Sequence, residues 1–156
     1  MSKSLRRVRS VLEAAGLAAR IHETDDSSRT AAGAAAAVGC ALDQIAKSII
    51  FRGEESGHVV LFLTAGGNRV DPAKATEVAG QRLGKADAEL IRAETGFAIG
   101  GVAPVGHLAP VTAWFDPRLR DFAQVWAAAG TPRHVFAIAP DRLLAMTGAH
   151  EADFTI

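Results

Sequence analysis

Two apolar segments joined by a short polar turn constrain the fold of this chain more than any other feature. Residues 45–51 and 58–64 have the length and apolar character of β-strands, and Glu54–Gly57 between them predict a hairpin loop. The run Val59–Leu63 in the second strand is continuously apolar. Because a strand without a polar face is covered on both sides, we expect other elements to pack above and below this hairpin.

Helix and strand signals surround the hairpin on both sides. Apolar spacing, N-cap residues and terminal glycines predict helices over residues 4–15, 31–38, 71–79, 87–94 and 140–147. Shorter apolar runs predict further strands over residues 17–23, 97–99, 111–115 and 134–139. Residues 118–129 are ambiguous, because residues 118–122 can be helical and residues 124–128 either continue that helix or form a strand. This order predicts an α/β fold of the α+β type, with helices packed on one mixed sheet.

The composition is that of one globular domain. The chain has 156 residues, of which 49% are hydrophobic and 22% are charged, and we expect a single domain over residues 1–156. One cysteine, Cys40, rules out an intramolecular disulfide and a cysteine-rich metal site. The five histidines show no pair at metal-ligand spacing, so we expect no metal and no cofactor.

The charge pattern narrows the expected partners. Seventeen Lys and Arg residues balance seventeen Asp and Glu residues, which gives no general attraction to nucleic acid or to acidic membranes. Residues 1–20 nevertheless carry a net charge of +4, and the first predicted helix presents Arg6, Arg7 and Arg9 on its polar face. That face is either a solvated surface or a stripe that contacts phosphates.

No segment predicts a membrane location. The most apolar-looking run, residues 31–42, is short and is interrupted by two glycines, so it cannot span a bilayer. The basic N-terminus is not followed by a leucine-rich segment of the kind found in secretory leaders. We therefore expect a cytoplasmic protein with no membrane partner and no DNA partner.

Lys47 is the most unusual residue of the first hairpin strand. Alternation places it on one face with Ile45 and Ile49, while Ala46 and Ile50 lie on the other, so neither face offers the ammonium a clearly solvated position. The lysine either protects a strand edge from pairing with other chains or points into a polar pocket, where it meets an anion or a reacting group.

The loop over residues 100–106 is the second unusual feature. Three glycines and one proline in seven residues indicate an irregular but stiff backbone. Exposed N–H groups in such a loop can bind an oxyanion or a phosphate, although a tight connection between strands has the same composition. Phosphate-binding loops, dinucleotide fingerprints and the nucleophile elbow of α/β-hydrolases are absent from the sequence.

Several segments together resemble the YbaK/ProX family of trans-editing aminoacyl-tRNA deacylases, which is related to the editing domain of bacterial prolyl-tRNA synthetases. The resemblance extends over about residues 4–150 and is carried by the segments Ile45–Phe51, Asn68–Asp71, Thr95–Gly106 and Ala129–Phe136. It implies a compact domain on a twisted, partly barrel-like mixed β-sheet, with a strand at residues 124–128. It also implies hydrolysis of the ester that joins a wrong amino acid to a tRNA, usually tRNA for proline.

The resemblance implies roles for particular residues. The family lysine matches Lys47, the family G-x-x-x-P loop matches Gly100–Pro104, and a pocket histidine of several members matches His134. The residues expected to act in catalysis are Lys47, Gly100, Gly101 and His134. Those expected to bind the substrate are Thr30, Ala31, Ala34, Ser48, Val102, Pro104 and Gly106. Those expected to contact tRNA are Lys3, Arg6, Arg7 and Arg9.

The implied reaction needs little catalytic machinery. An aminoacyl ester is already activated, and the 2′-hydroxyl of the tRNA lies beside its carbonyl and can assist a water molecule. We expect tRNA for proline carrying alanine or 2-aminobutyrate to be the substrate, with the tRNA acceptor end as partner and prolyl-tRNA synthetase as a further candidate partner. The alternatives are a tRNA-binding module without activity, a hydrolase of free amino-acid esters, and a structural protein.

Overall fold

The computed structural model describes residues 2–156 of the chain. The α-helices are α1 (Lys3–Ala14), α2 (Ala31–Val38), α3 (Pro72–Ala79), α4 (Ala88–Thr95) and α5 (Pro140–Thr147). The β-strands are β1 (Ile21–Glu23), β2 (Ala46–Gly53), β3 (Val59–Ala65), β4 (Leu83–Lys85), β5 (Thr112–Phe115), β6 (Val125–Thr131), β7 (His134–Ile138) and β8 (His150–Glu151). Short 3₁₀ helices lie at Ala18–Arg20, Asp26–Arg29, Leu42–Gln44 and Pro117–Asp121.

The strands form two sheets rather than the one sheet expected from the order of elements. The smaller sheet has the order β1-β7-β6 and is antiparallel. The larger sheet has the order β4-β2-β3-β5-β8, in which β4, β2 and β3 are antiparallel and β3, β5 and β8 are parallel. The prediction of a mixed α/β domain is confirmed, and residues 125–131 form a strand as the resemblance implies.

The two sheets approach each other at one end of β2. A single parallel bridge joins Ile45 to Trp126 of β6. At the other end of β2, β4 pairs only with Phe51–Gly53. Within residues 2–156, therefore, positions 46–50 of β2 pair with β3 on one side and with no strand on the other.

Strand β3 is covered on both faces, as its apolar sequence predicts. All seven of its residues are buried. Leu61 and Leu63 pack into the central core with α1 and with both sheets. Val60 and Phe62 pack on the opposite face against α3 and Phe154. A third cluster lies beneath α2, where Ala34 and Ala35 contact the Trp126 region. The larger sheet, with the β2–β3 hairpin near its centre, is thus covered on both faces at β3.

Polar side chains begin four of the helices, because the first backbone N–H groups of a helix lack partners within it. The hydroxyl of Thr30 accepts a hydrogen bond from the Gly33 N–H at the start of α2. The carboxylates of Asp71 and Asp87 do the same for α3 and α4, and Ser2 does so for α1. None of the helices within residues 2–156 has the length and apolar character needed to cross a membrane.

The segment 96–106 is an irregular wall of the central core. The predicted strand at residues 97–99 is wrong, because Phe97 and Ala98 lie outside any strand and Ile99 begins a turn. Phe97 is nevertheless fully buried, and such a segment needs partners for its backbone polar groups. The hydroxyl of Thr95 accepts from the Phe97 N–H, and the Gly101 N–H donates to the Ala98 carbonyl. The run of three apolar residues therefore reflects burial rather than sheet pairing.

The short strands β4 and β8 were not predicted from the sequence. They contain three and two residues, which is too short for a period-two pattern to be seen. Both lie at the outer edges of the larger sheet.

Asp116 ties the end of β3 to the segment that follows β5. Its carboxylate is 2% exposed. One oxygen accepts from the Ala65 N–H at 3.1 Å and from the Asn68 amide at 2.9 Å, and the other accepts from the Arg118 N–H at 3.0 Å. Removing the carboxylate would leave the N–H of the fully buried Ala65 without an acceptor.

We expect Asp116→Ala to lower the free energy of unfolding by about 3 kcal/mol, because a buried donor then lacks a partner and charge-assisted hydrogen bonds are lost. The measurement is urea unfolding followed by circular dichroism. Asp121→Ala is the matched control, because the exposed Asp121 pairs with Arg118 at the surface and should contribute little. Equal losses in the two variants would contradict this account of Asp116.

Candidate active site

A cavity of about 650 Å³ opens along the unpaired edge of β2. Ile45 and residues 46–50 of β2 form one wall, and β6 and β7 form another through Trp126, Ala127, Ala128 and Val135. The start of α2 and the turn after α4 close further sides. We call this space the β2 cavity. Its volume and its mainly apolar lining with a few polar groups are typical of small-molecule sites.

Lys47 and Ser48 enter this cavity from opposite faces of one strand. Ser48 lies on the face of β2 that Ala46 and Ile50 turn to the central core, while Lys47 shares its face with Ile49. Both residues line the cavity, because β2 has no neighbouring strand at these positions. A ligand at this edge would therefore contact the strand backbone, an ammonium and a hydroxyl together.

The surroundings of Lys47 disfavour its charge. Burial lowers the pKa of the Lys47 ammonium below its ordinary value, and the guanidinium of Arg69 lowers this pKa further. Asp43 and Asp116 act in the opposite direction. Within residues 2–156 Lys47 forms no ion pair. A bound anion would supply the missing counter-charge, so the cavity favours a ligand that carries or develops negative charge.

The Ser48 hydroxyl is buried and has no hydrogen-bond partner within residues 2–156. Burying a hydroxyl without a partner costs free energy that a ligand would recover on binding. The lack of a partner also means that no imidazole or carboxylate activates this oxygen as a nucleophile. Ser48 is therefore suited to bind a substrate rather than to attack it.

The glycine-rich turn contributes Gly100 and Val102 to the cavity. The N–H groups of these two residues form no hydrogen bond within residues 2–156, so they can donate to an oxyanion. Gly101 was expected to share this role, but its N–H already donates to the Ala98 carbonyl and the residue does not line the cavity. A Cβ on Gly101 would lie 2.8 Å from the Thr131 backbone, so glycine is needed there for close packing.

The opposite wall is made of small side chains from α2. Ala31 and Ala34 line the cavity as predicted, and so does Thr30. The Thr30 hydroxyl caps α2 by accepting from the Gly33 N–H at 3.0 Å. Small residues at this wall leave room for an amino-acid side chain of limited size.

Two cations that the sequence analysis did not select also line the cavity. Lys85 comes from the short strand β4, and Arg29 lies just before α2. The Arg29 stem packs against Gly100, with Cγ 3.4 Å from the position of a Cβ there. Lys85 could not be found from the sequence, because its strand is too short to predict. Arg29 could have been found, because it precedes the predicted cap of the helix that was expected to line the site.

Several predicted site residues lie outside the β2 cavity. Pro104 is buried in the segment 96–106, and Gly106 accepts a hydrogen bond from Arg7 through its carbonyl. His134 lines a different cavity, where its Nδ1 lies 2.6 Å from the Thr131 hydroxyl. The residues that the structure does bring together are Thr30, Ala31, Ala34, Lys47, Ser48, Gly100 and Val102.

The four cations predicted to contact tRNA differ in their surroundings. Lys3 and Arg6 are exposed on α1. Arg7 is half-buried and donates to the Gly106 carbonyl at 2.8 Å and to the Thr95 carbonyl at 3.4 Å. Its guanidinium also lies 4.6 Å from the Phe97 ring centroid. Arg7 thus fastens the irregular wall to α1, and its expected contact with tRNA stays a prediction.

The sequence and the fold match a known class of domain. The chain belongs to the family of aminoacyl-tRNA editing domains, whose family model matches residues 25–146. A crystal structure proposed to be that of a trans-editing enzyme for prolyl tRNA synthetase is 48% identical, with a TM-score of 0.91 over 100% of this chain and 99% of the other.

Two further matches, one to a solved structure and one to a sequence, are less similar to this chain. A solved structure of a hypothetical protein is 28% identical, with a TM-score of 0.85 over 96% of this chain and 99% of the other. The uncharacterised protein YwhH of Bacillus subtilis (strain 168) is 32% identical over 123 residues, which are 79% of this chain and 78% of YwhH. The family resemblance inferred from the sequence motifs is therefore confirmed.

We expect Arg69→Ala to raise the pKa of Lys47 toward its ordinary value, because a repelling positive charge is removed. The measurement is a ¹³C NMR titration of the lysine ε-methylene groups, with the Lys47 signal assigned through Lys47→Arg. Arg82→Ala is the control, since this exposed arginine is not among the charges that act on Lys47. An unchanged or lowered Lys47 pKa in Arg69→Ala would show that the repulsion is absent.

Proposed function

We propose that this protein hydrolyses the ester bond of mischarged aminoacyl-tRNA, with tRNA for proline carrying alanine or 2-aminobutyrate as substrate. The observation that carries the proposal is the β2 cavity, in which a lysine and an unpartnered hydroxyl meet at an open strand edge. Family membership supports the reaction class. The relative proposed to act for prolyl tRNA synthetase supports the choice of tRNA.

The proposed mechanism uses the protein to bind and to stabilise charge rather than to attack. Ser48 has no base beside it, and the Cys40 thiol lies outside the cavity with its hydrogen bonded to the Ala41 carbonyl. Water is then the nucleophile, with the adjacent 2′-hydroxyl of the tRNA assisting it. This requires no serine–histidine pair, in contrast to hydrolases of unactivated amides.

Four groups have proposed roles at the reacting carbonyl. The N–H groups of Gly100 and Val102 donate to the oxyanion that forms when water adds. The Lys47 ammonium supplies a fixed positive charge to this oxyanion or to the adjacent terminal phosphate. Ser48 hydrogen-bonds the substrate amino group or carbonyl oxygen, which satisfies its otherwise unpaired hydroxyl.

Selection of the amino acid depends on the size of the wall that α2 forms. Ala31 and Ala34 leave space for a small side chain. A difference of one methylene in an apolar pocket gives only about 1–3 kcal/mol of discrimination. The rejection of proline therefore depends on steric misplacement of its ring and of its ester rather than on weaker attraction.

Arg29 and Lys85, which line the same cavity, are proposed to bind the phosphates of the tRNA 3′ end.

The decisive experiment is a deacylation time course on tRNA for proline charged in turn with proline, alanine, 2-aminobutyrate, cysteine and serine. We expect the alanine or 2-aminobutyrate ester to be lost and the proline ester to persist. Lys47→Ala should slow this loss by about 10²–10³-fold, the range found when a group that stabilises an oxyanion is removed.

Lys74→Ala is the matched control for that experiment, because Lys74 pairs with Asp153 outside the β2 cavity and should leave the rate unchanged. Binding of tRNA without loss of any ester would support the non-catalytic binding module. Turnover of a free alanine ester as fast as of charged tRNA would support a small-ester hydrolase. Either result would reject the proposal.

Ser48→Ala distinguishes a role of the Ser48 hydroxyl in substrate binding from a role in folding. We expect it to reduce kcat/KM by about tenfold, since one substrate hydrogen bond is lost, and to leave the free energy of unfolding unchanged or slightly higher. Paired measurements of kinetics and of urea unfolding test this. A large loss of stability would mean that the hydroxyl has a structural partner.

Ala31→Val tests the proposed size filter. The added methyl groups narrow the β2 cavity, so hydrolysis of the 2-aminobutyrate ester should fall more than hydrolysis of the alanine ester, by about tenfold for one misfitting methylene. Ala32→Val makes the same change at an exposed position of the same helix outside the cavity. An equal loss of rate for the two esters in Ala31→Val would show that this wall does not discriminate between amino acids by size.

A further inference from the structure

A second cavity, of about 590 Å³, lies between the start of α1 and the β6–β7 turn. We call it the α1 cavity. Leu5 and Arg9 come from α1 and Ser2 is its N-cap, while Thr131, Arg133 and His134 come from the turn and the strand ends beside it. Among the described lining residues, the acidic one is Glu23 of β1. The guanidinium of Arg9 and the imidazole of His134 line the same space, and these donors favour an anionic ligand.

Arg9 is the residue that most clearly lacks a partner. Its Nε is buried and forms no hydrogen bond within residues 2–156. Arg7, two residues earlier on α1, instead donates to backbone carbonyls of the irregular wall. A buried guanidinium N–H without an acceptor destabilises the empty protein, so its presence indicates an acceptor supplied from outside.

His134 is held in place from both sides. Its Nδ1 lies 2.6 Å from the Thr131 hydroxyl, and this hydroxyl also accepts from the Arg133 N–H at 3.1 Å. Its Nε2 lies 3.3 Å from a carboxylate oxygen of Glu23, whose side chain is 75% exposed. The exposed carboxylate can turn to water when a stronger anion enters, which leaves Nε2 free to donate to that anion.

The α1 cavity adjoins the β2 cavity through one tight backbone contact. Gly100 lines the β2 cavity, and Thr131 lines the α1 cavity. Between them, the position of a Cβ on Gly101 is only 2.8 Å from Cα and the carbonyl carbon of Thr131. A chain whose end occupies the β2 cavity can therefore place its preceding units near Arg9 and His134.

We propose that the α1 cavity binds a backbone phosphate of the tRNA acceptor strand, through Arg9 and His134, while the aminoacylated end occupies the β2 cavity. This inference rests on the proposed function. Arginine suits the task because its planar donors match phosphate oxygens. His134 is then a residue that positions the substrate by binding the strand, in place of the catalytic role that the family resemblance implies.

The test compares Arg9→Met with Arg92→Met, in which an exposed arginine outside both cavities is changed in the same way. The probe is an uncharged RNA microhelix with the acceptor-stem sequence, and its Kd is measured by fluorescence anisotropy at several salt concentrations. We expect Arg9→Met to weaken binding by about tenfold or more and to reduce the salt slope by about one. Arg92→Met should weaken binding by less than about twofold.

Kinetics and stability supply readouts that a structural role would not produce. On charged tRNA, Arg9→Met and His134→Gln should raise KM and leave kcat unchanged. On 3′-O-alanyl-adenosine, which has no preceding phosphates, both variants should match the wild type. Arg9→Met should unfold at the same or a higher urea concentration, because the unpaired N–H is gone while the apolar stem is kept.

Three outcomes would overturn the proposal. The first is that Arg9→Met binds the microhelix as well as Arg92→Met does, and the second is that His134→Gln lowers kcat on 3′-O-alanyl-adenosine. The third is that inorganic phosphate displaces the microhelix at concentrations near the Kd of the RNA. The last would assign the cavity to a free ion. A wild type that hydrolyses no ester, combined with the expected loss of microhelix binding in Arg9→Met, would reject the proposed function and leave this site standing.

Discussion

The incomplete pairing of β2 is the constraint on which the site depends. One edge of this strand is fully paired with β3, whereas the other is paired only at Phe51–Gly53 and bridged only at Ile45. Between these points the two sheets diverge, and the β2 cavity occupies the gap. Because β3 is buried on both faces, β2 is anchored from one side and can leave the other side open. The candidate site residues Lys47 and Ser48 thus lie on a strand that its neighbour holds in place, rather than on a loop.

The segment 96–106, which contributes Gly100 and Val102 to the β2 cavity, is held in place without regular secondary structure. The segment 96–106 is buried along most of its length, and its backbone is fixed by groups from other elements. Arg7 holds the Gly106 carbonyl from α1, and the His107 ring donates from Nε2 to the Ala103 carbonyl at 2.7 Å. Burial lowers the pKa of His107, which favours the neutral ring that this packing needs. Fixed N–H groups at such a wall bind an oxyanion without reorganisation.

The sequence predicted the elements with strong local signals and missed those that depend on tertiary pairing. The hairpin, the capped helices and Lys47 were all readable from spacing and residue type. The division into two sheets was not readable, since it depends on which edges meet, and β4 and β8 are too short for a pattern. His134 was placed with Lys47 by resemblance, but the direction of a side chain at a β-turn is set by the turn geometry. Arg7 and Arg9 looked equivalent on one helix face, and only packing distinguishes the structural cation from the unpaired one.

The buried side-chain atoms that lack partners within residues 2–156 are Ser48 Oγ and Arg9 Nε, and each belongs to a different cavity. Each leaves a deficit of about 1–3 kcal/mol in the empty protein. A ligand that satisfies both atoms binds the native state and not the unfolded chain, so mass action makes the folded population depend on ligand concentration. The protein without a bound ligand is then the form that unfolds more easily, and a ligand that fills both cavities protects the protein from unfolding.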